Sequence, residues 1–362
     1  MRCLLNYPKL FEPLQVGELS LRNRIVMAPM TRSRATDDDR VTELHRLYYQ
    51  QRANAGLIVT EGVHPSANGK GYNRTPGIYS AQQVDDWRVV TDAVHGEGGL
   101  IACQLMHCGR VGHADNKATG TEFLAPSAIA ARAEIFTEAG MKPMPVPRAM
   151  TLEDIKTVVD EYRQATENCL AAGFDGVELH AASGYLPAQF LASESNLRDD
   201  EYGGSIENRL RFIREVLTAM IDVAGPGRVG LRISPGNPYN DHVDATPEDT
   251  YGALLDLADS LQLAWVHAIR MPSTGIDSLQ LTRNHYRGVL IGSDSFDAAE
   301  ADSCIANGSV DAVSFGRAYI ANPDLAQRFA ADASLNKMDK KTIYAGTGAP
   351  GYTDYPTMDA GA

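Results

Sequence analysis

Eight short apolar segments recur along the chain, with amphipathic segments between them. They are short and apolar enough to be strands buried on both faces, as parallel strands under helices are. The segments span residues 25–31, 56–62, 100–107, 176–182, 229–235, 265–270, 289–294 and 312–318. Such alternation leaves few strands for a sheet edge and therefore predicts a closed barrel. The predicted fold class is α/β, a single (β/α)8 TIM barrel over residues 1–362.

Helical patterns fill the intervals between the predicted strands. They cover residues 42–54, 81–96, 151–172, 206–223, 247–261 and 296–307. Thr151 before Asp154, and Thr246 before Pro247, are typical of helix N-caps. The sixth unit is the weakest, because residues 271–285 contain a proline and a glycine and show little periodicity.

Two long loops interrupt this alternation, at residues 108–150 after the third strand and 183–205 after the fourth. Insertions after barrel strands fall on the catalytic face, so these loops are expected to form a lid and a pocket wall. The tail from Thr342 onward is rich in Gly, Tyr and Pro and is predicted to be a loop.

Composition excludes several classes of function. With 46 acidic and 33 basic residues the net charge is -13, which disfavours nucleic acids and anionic membranes as partners. The N-terminal apolar patch is broken by Asn6 and Pro8, and no apolar run is long enough to span a bilayer. The five cysteines are scattered, so we expect reduced thiols in a cytoplasmic protein. We also expect a monomer or homodimer.

Polar residues and glycines stand at or near the predicted strand ends, where chemistry takes place in such barrels. They are Thr31, Glu61, Gln104, His107, His180, Ser183, Arg232, His267, Arg270, Ser293, Asp294, Gly316 and Arg317. Any one of them has an equally good structural interpretation, since strand ends reach solvent in every barrel. Together they indicate an active site.

The loops after the seventh and eighth strands read GSD and FGR. Such loops commonly bind phosphate through backbone N–H groups, and Arg317 would add a bidentate cation. The alternative is that Gly292 and Gly316 only permit tight turns. Asp294 fits a phosphate site only if its carboxylate points away.

Metal chemistry has little support in the sequence, because there is no HExxH motif and no Cys/His quartet. We therefore predict no metal site, although three histidines brought together by folding remain possible. The strand ends also lack the lysine that barrel aldolases use for Schiff bases.

The segments ELHAASGYLPAQFL and SNLRDDEYGGSIENR resemble the Old Yellow Enzyme family of FMN-dependent ene-reductases. So do LFEPLQVGELSLRNRIVMAPMTR, YYQQRANAGLIVTEG, QLMHCGR, GRAYIANPDL and GYTDYP, in the family's order. The resemblance covers nearly the whole chain and implies the same barrel, with bound FMN and with NADPH or NADH as the reductant.

The resemblance also implies a flavin site. Thr31 matches the residue that hydrogen-bonds the flavin carbonyl O4, and Gln104 and Arg232 match positions facing the pyrimidine ring. The isoalloxazine would be lined by Pro29, Met30 and Gly62. The phosphate would be held by Gly292, Ser293, Gly316 and Arg317.

The substrate side of the site departs from the family's pattern. His180 and Ser183 match the pair that donates hydrogen bonds to a carbonyl or nitro oxygen, but the family usually has Asn or His where Ser183 stands. Met106 stands where Trp is usual. Tyr185 matches the proton donor, Tyr344 is placed in the substrate pocket, and Arg270 would face an anionic substrate or pair with a nearby acid.

The implied activity is reduction of electrophilic alkenes, such as enones, enals, maleimides and nitroalkenes, by hydride from flavin N5 and a proton from Tyr185. Alternatives are nitrate-ester or nitro reduction, isomerisation, or flavin binding with little turnover. A phosphosugar isomerase or aldolase is the alternative from fold alone.

Overall fold

The computed structural model describes residues 6–358, so Cys3 lies outside the described residues. Eight parallel strands close into a barrel in which each pairs with the next and the eighth pairs with the first. They are β1 (Ile25–Met27), β2 (Leu57–Val63), β3 (Ile101–Leu105), β4 (Gly176–His180), β5 (Val229–Ile233), β6 (Trp265–Ile269), β7 (Val289–Ser293) and β8 (Ala312–Phe315). The predicted (β/α)8 barrel is confirmed.

Eight helices surround the barrel, one after each strand. They are α1 (Glu43–Gln50), α2 (Ala81–Gly96), α3 (Leu152–Ala171), α4 (Ile206–Ala224), α5 (Pro247–Ser260), α6 (Ser278–His285), α7 (Ala298–Ala306) and α8 (Leu325–Ala331). Shorter helices, Leu186–Leu191 and Arg317–Ala321, follow β4 and β8 directly. Single 3-10 turns cover Pro8–Phe11, Ala67–Gly69, Ala114–Asn116, Pro226–Arg228, Tyr239–Asp241, Pro272–Thr274 and Lys340–Thr342.

The helices form where an apolar stripe recurs at helical spacing. In α3 the buried positions include Ile155, Val158, Tyr162, Ala165 and Cys169, which lie on one face at three- and four-residue intervals. Thr151 caps this helix as predicted, because its side chain accepts a hydrogen bond from the Asp154 amide.

Several local predictions need correction. Thr246 stands at the N-cap of α5, but its side chain makes no capping hydrogen bond. The weak sixth unit does contain a helix, α6, whose cap is Asp277 accepting from the Gln280 amide. The strand predicted at residues 25–31 ends at Met27, and the segment from Ala28 to Thr31 is irregular.

The amino end of the barrel is closed by an antiparallel hairpin of Leu14–Val16 and Leu19–Leu21. Val16, Leu19 and Leu21 pack against barrel residues that include Trp265 and Ile291. At the turn, Gly17 has φ +55, and a Cβ there would lie 2.2 Å from the Gly227 carbonyl oxygen. The hairpin is thus an apolar plug that leaves the carboxyl end of the barrel as its open end.

The long loop after β3 has structure of its own. Leu124–Ala125 pairs in parallel with Arg148–Ala149, and Glu134–Thr137 forms an antiparallel hairpin with Gly140–Pro143. Residues 343–357 of the tail form a loop, as predicted, and Thr342 ends a 3-10 turn. Cys103, Cys108, Cys169 and Cys304 are free. Within residues 6–358, no helix combines the length and apolar character needed to cross a bilayer.

We predict that Gly230→Ala destabilises the fold by about 2–4 kcal/mol, because an added Cβ would lie 1.9 Å from the indole of the fully buried Trp265. Urea unfolding of the variant and the wild type measures the loss. Gly96→Ala in α2 is the control: a Cβ there meets nothing within 4 Å, so stability should be kept or slightly raised. Equal effects of the two substitutions would contradict the prediction.

Candidate active site

A cavity of about 140 Å³ lies at the carboxyl ends of the barrel strands. Its walls are Pro29, Thr31, Gly62, Gln104, Met106, His180, Ser183, Tyr185, Arg232 and Ile269. All of these except Ile269 have a role predicted from the sequence. The fold therefore brings residues from six strands and their following loops to one point.

A larger cavity of about 670 Å³, which we call the vestibule, shares Thr31 and Tyr185 with the inner cavity. Much of its wall is apolar or aromatic, contributed by the loops after β2, β3 and β5 and by the tail. These side chains are Tyr72, Ile135, Phe136, Met141, Met144, Tyr239 and Tyr344. Tyr344 thus lines the outer chamber, where a molecule entering the inner cavity would pass.

Beneath the inner cavity the barrel is filled by hydrogen-bonded polar side chains around Glu178. Its carboxylate accepts bonds from Gln104 Nε2 at 2.8 Å, Trp265 Nε1 at 2.8 Å and His267 Nδ1 at 3.0 Å. Burial alone would raise the pKa of Glu178, but His267, Arg232 and Trp265 outweigh it and lower the pKa to about 2. Glu178 is therefore a buried anion whose donors are fixed.

Arg232 lies in this layer and also lines the cavity. Its Nη1 is 2.8 Å and 2.6 Å from the two ring nitrogens of His267, and its Nη2 donates to Ser293 Oγ at 3.2 Å. Burial lowers the pKa of Arg232 to about 10, with Glu178 and Asp294 opposing the fall, so the guanidinium stays charged at neutral pH. His267 is neutral, because burial lowers its pKa to about 4.

Sequence analysis did not single out Glu178. The available signal was a carboxylate in the middle of an apolar strand, since a buried charge requires partners. The Arg232 guanidinium is near Glu178 but makes its hydrogen bonds with His267 and Ser293.

His180 offers an N–H group to the cavity. Its Nδ1 accepts a long hydrogen bond of 3.4 Å from the Ala182 amide, which assigns the ring proton to Nε2. Burial and the nearby Arg232 lower the pKa of His180 to about 3. The ring is therefore a neutral donor at physiological pH.

Ser183 has a left-handed backbone, with φ +57. Its N–H donates to Ser234 Oγ at 2.9 Å, and its carbonyl accepts from Asn240 Nδ2 at 2.8 Å. Ser234 and Asn240 belong to the loop after β5, and sequence analysis missed both, because neither follows a periodic pattern. They hold the turn that carries Ser183 in place.

Tyr185 has a partner that the sequence did not reveal. Its hydroxyl lies 3.0 Å from that of Tyr72, and the two rings meet edge to face at 6.2 Å. Burial raises the pKa of both phenols well above 10, so both are protonated at neutral pH. Tyr185 is thus a hydroxyl donor at the boundary between the inner cavity and the vestibule.

Glu61 is at a strand end but faces away from the cavity, toward α1. Its side chain is fully buried, with Tyr49 Oη at 3.4 Å, the Arg32 amide nitrogen at 3.5 Å and His45 Nε2 at 3.8 Å. Burial raises the pKa of Glu61 to about 7, with Arg32, Tyr49 and Arg34 opposing the rise. His107 is likewise structural, since its Nδ1 accepts from the Gly109 amide.

The predicted phosphate residues lie together at the ends of β7 and β8. Neither Gly292 nor Gly316 has a positive φ, so a turn does not require glycine at either position. A Cβ on Gly292 would lie 2.9 Å from Val310, and one on Gly316 would lie 3.3 Å from Met30 Sδ. Close packing is the reason that the structure gives for these glycines.

Arg270 does not contribute its guanidinium to either cavity. Its Nη1 and Nη2 bind Glu300 at 2.5 Å and 2.8 Å, and the group lies 3.5 Å above the Phe296 ring. Of the two interpretations of this residue, pairing with an acid is the one that the structure shows.

The side chains that line the inner cavity suit a polar ring system. Thr31, Gln104 and Arg232 carry hydrogen-bond donors, which match the carbonyl and ring-nitrogen acceptors of FMN. Gly62 contributes only backbone to the cavity wall, and a Cβ at this position would lie 2.6 Å from Met106 Sδ. Within residues 6–358, no group of three or more His, Cys, Asp or Glu side chains is arranged to hold a metal.

Residues 9–336 match the model of the NADH:flavin oxidoreductase / NADH oxidase family. The chain belongs to this family. It is 44% identical, over 96% of this chain and 97% of the other, to a protein of Leishmania infantum described as a probable flavin mononucleotide-dependent alkene reductase.

Solved structures of the family are also similar. Morphinone reductase in complex with tetrahydroNAD superimposes with a TM-score of 0.93 at 44% identity, covering 98% of this chain and 99% of the other. An old yellow enzyme homologue from Zymomonas mobilis gives 0.92 at 38% identity, covering 96% and 99%. The predicted Old Yellow Enzyme membership is confirmed. The chain is a flavin oxidoreductase with FMN as cofactor and a nicotinamide coenzyme as reductant.

We predict that Glu61→Gln stabilises the protein in a pH-dependent way. The pKa of Glu61 is raised from 4.5 to about 7, so the fold favours the protonated carboxyl. Its stabilising contribution is complete below about pH 4.5 and is lost as the pH rises through about 7, a change of roughly 3 kcal/mol. Urea unfolding at pH 5 and pH 8 should therefore show a much larger gain for the variant at the higher pH.

Glu201 is exposed, so Glu201→Gln serves as the control for Glu61→Gln and should have wild-type stability at both pH 5 and pH 8. A gain from Glu61→Gln that is the same at pH 5 and pH 8 would show that ionisation of this carboxyl is not responsible.

We predict that Ser183→Asn raises stability by about 0.5–1 kcal/mol. Asn tolerates the left-handed backbone at φ +57 better than Ser does, and the amide and carbonyl contacts of the turn are unchanged. Denaturant unfolding measures the gain. Ser183→Ala keeps the same backbone demand and should give no gain; equal stabilisation by both variants would contradict the explanation.

Proposed function

We propose that the protein reduces activated carbon–carbon double bonds in enones, enals, maleimides or nitroalkenes, with NADPH or NADH as electron source. The proposal rests on one cavity that is lined both by the donors assigned to the flavin and by the residues assigned to the substrate. The former are Thr31, Gln104 and Arg232, and the latter are His180, Ser183 and Tyr185. The names of the similar alkene reductase and morphinone reductase support it.

Thr31, Gln104 and Arg232 would hold the polar edge of the flavin, with Pro29, Met30 and Gly62 against its ring. The phosphate group would be taken by Gly292, Ser293, Gly316 and Arg317. When bound, FMN would accept a hydride from the nicotinamide and supply it to the alkene. Glu178 fixes Gln104 directly and holds His267 against Arg232, so these donors need little rearrangement on binding.

His180 would polarise the substrate. Its Nε2–H donates to a carbonyl or nitro oxygen and so draws electron density from the conjugated double bond. Ser183 would add a second, shorter donor. Because both ring and hydroxyl are neutral, they stabilise developing negative charge without transferring a proton to the oxygen.

Tyr185 would deliver the proton to the other alkene carbon. Burial raises its pKa well above 10, so the proton is always present, and transfer depends on reach rather than on titration. The neighbouring hydroxyl of Tyr72 at 3.0 Å orients that of Tyr185 and can stabilise the charge left on it.

The domain organisation, cellular location, oligomeric state and partners of the protein belong to the same proposal. We propose one FMN-binding barrel domain, acting in the cytoplasm as a monomer or homodimer on a small-molecule substrate and not on nucleic acid. The net charge of -13 supports the last point.

We predict that the yellow holoprotein loses its visible absorbance when mixed anaerobically with NADPH or NADH, and recovers it on addition of cyclohexenone. Tyr185→Phe should leave the first step within about twofold and slow the second by about 10²-fold or more, because only the proton donor is removed. Stopped-flow absorbance follows both steps.

Tyr72→Phe is the matched control, since it removes a neighbouring phenol and keeps the donor. Its second step should slow by less than about tenfold. A wild-type flavin that stays oxidised with both coenzymes would refute the proposal, and one that is reduced but never reoxidised by any activated alkene would indicate flavin binding with little turnover.

A further inference from the structure

The loop after β7 places an acidic residue beside the groups assigned above to the flavin phosphate. Asp294 follows Ser293 directly and has φ +81, and Ser295 after it has φ +57. Arg270 Nε donates to the Asp294 carbonyl at 2.7 Å and so holds the backbone in this shape. The carboxylate therefore has its position set by a constrained loop.

The carboxylate is directed at the cation of the phosphate site. Asp294 Oδ1 lies 3.4 Å from Arg317 Nη2, and the same nitrogen donates to Ser295 Oγ at 3.0 Å. Ser295 Oγ in turn donates to Asp294 Oδ2 at 3.1 Å. The sequence-based condition that Asp294 should point away from such a site is therefore not met.

A second guanidinium that contacts this loop is also paired. Arg270, which follows β6, binds Glu300, just as Arg317, which follows β8, lies against Asp294. A phosphate monoester carries about 1.5 to 2 negative charges at neutral pH. It would have to share Arg317 with Asp294 and would lie close to a like charge, which reduces what the phosphate adds to binding.

We propose that Asp294 lowers the affinity of the flavin site for the phosphate group, so that the protein discriminates weakly between FMN and riboflavin and exchanges its cofactor readily. The inference rests on the proposed function for the position of the phosphate. Riboflavin has the same ring and ribityl chain but no phosphate, so the ratio of the two dissociation constants isolates the contribution of this loop. Asp294 acts on cofactor occupancy and makes no contact with the reacting atoms.

The test measures binding of FMN and riboflavin to the flavin-free protein by quenching of flavin fluorescence. Asp294→Asn removes the charge and keeps both the size and a residue that tolerates a positive φ. It should lower the Kd for FMN about two- to fivefold, the effect of one exposed charge contact, and leave the Kd for riboflavin unchanged. Added salt at 0.5 M should shrink the difference in Kd for FMN between the variant and the wild type.

Two further variants separate charge from other causes. Asp294→Gly removes the carboxylate and the backbone constraint together, and should tighten FMN at least as much as Asp294→Asn. Asp297→Asn neutralises a carboxylate that caps α7 and does not contact Arg317, so it should change neither constant.

Each outcome has a distinct meaning. An unchanged or weaker FMN affinity in Asp294→Asn overturns the inference, as does equal tightening of both flavins. Tightening by Asp294→Gly alone assigns the effect to backbone strain and also overturns it. A wild-type protein that binds neither flavin would instead refute the proposed function.

Discussion

The buried carboxylate of Glu178 is the interaction on which the site depends. It is fully enclosed by the barrel and accepts hydrogen bonds from β3 and, twice, from β6. An unpaired buried carboxylate in this position would strongly destabilise the fold, so Glu178 needs these hydrogen-bond donors. The buried donors in turn need the carboxylate as their acceptor. One consequence is that Gln104 and His267 cannot rotate freely. Another is that the buried carboxylate of Glu178 lies close to the guanidinium of Arg232, so the two charges largely cancel. Of these side chains, Gln104 and Arg232 line the cavity.

The barrel and the position of its active end could be predicted from the sequence because both follow from local patterns. Buried parallel strands must be apolar, and the residues that end them must meet at one face. The helix α6 was hard to predict for the complementary reason. It is short, and it forms because Asp277 caps it and because Ser278 Oγ donates to the Ile269 carbonyl at the end of β6.

Other parts of the site depend on contacts between loops distant in sequence. Tyr72 meets Tyr185 from a loop 113 residues away, and Asn240 reaches Ser183 across 57 residues. Arg270 stands at a strand end, as the cavity residues do. Its guanidinium is oriented by Glu300, whose position depends on the packing of α7. A pattern of residue types can propose that these side chains matter, but the partner that orients each of them is a property of the fold.

The segment after β1 links the two cavities. Thr31 lines both of them, and the next residue, Arg32, is fully buried and donates to the Gly351 carbonyl at 2.7 Å. Arg34 donates to the Thr342 carbonyl at 2.8 Å, so two neighbouring arginines hold the ends of the tail segment that carries Tyr344. These bonds go to backbone carbonyls, and the Arg32 guanidinium also lies over the Tyr352 ring at 5.1 Å. The outer wall of the vestibule is therefore positioned from the same short segment that places Thr31 in the inner cavity, and a displacement of that segment would alter both chambers together.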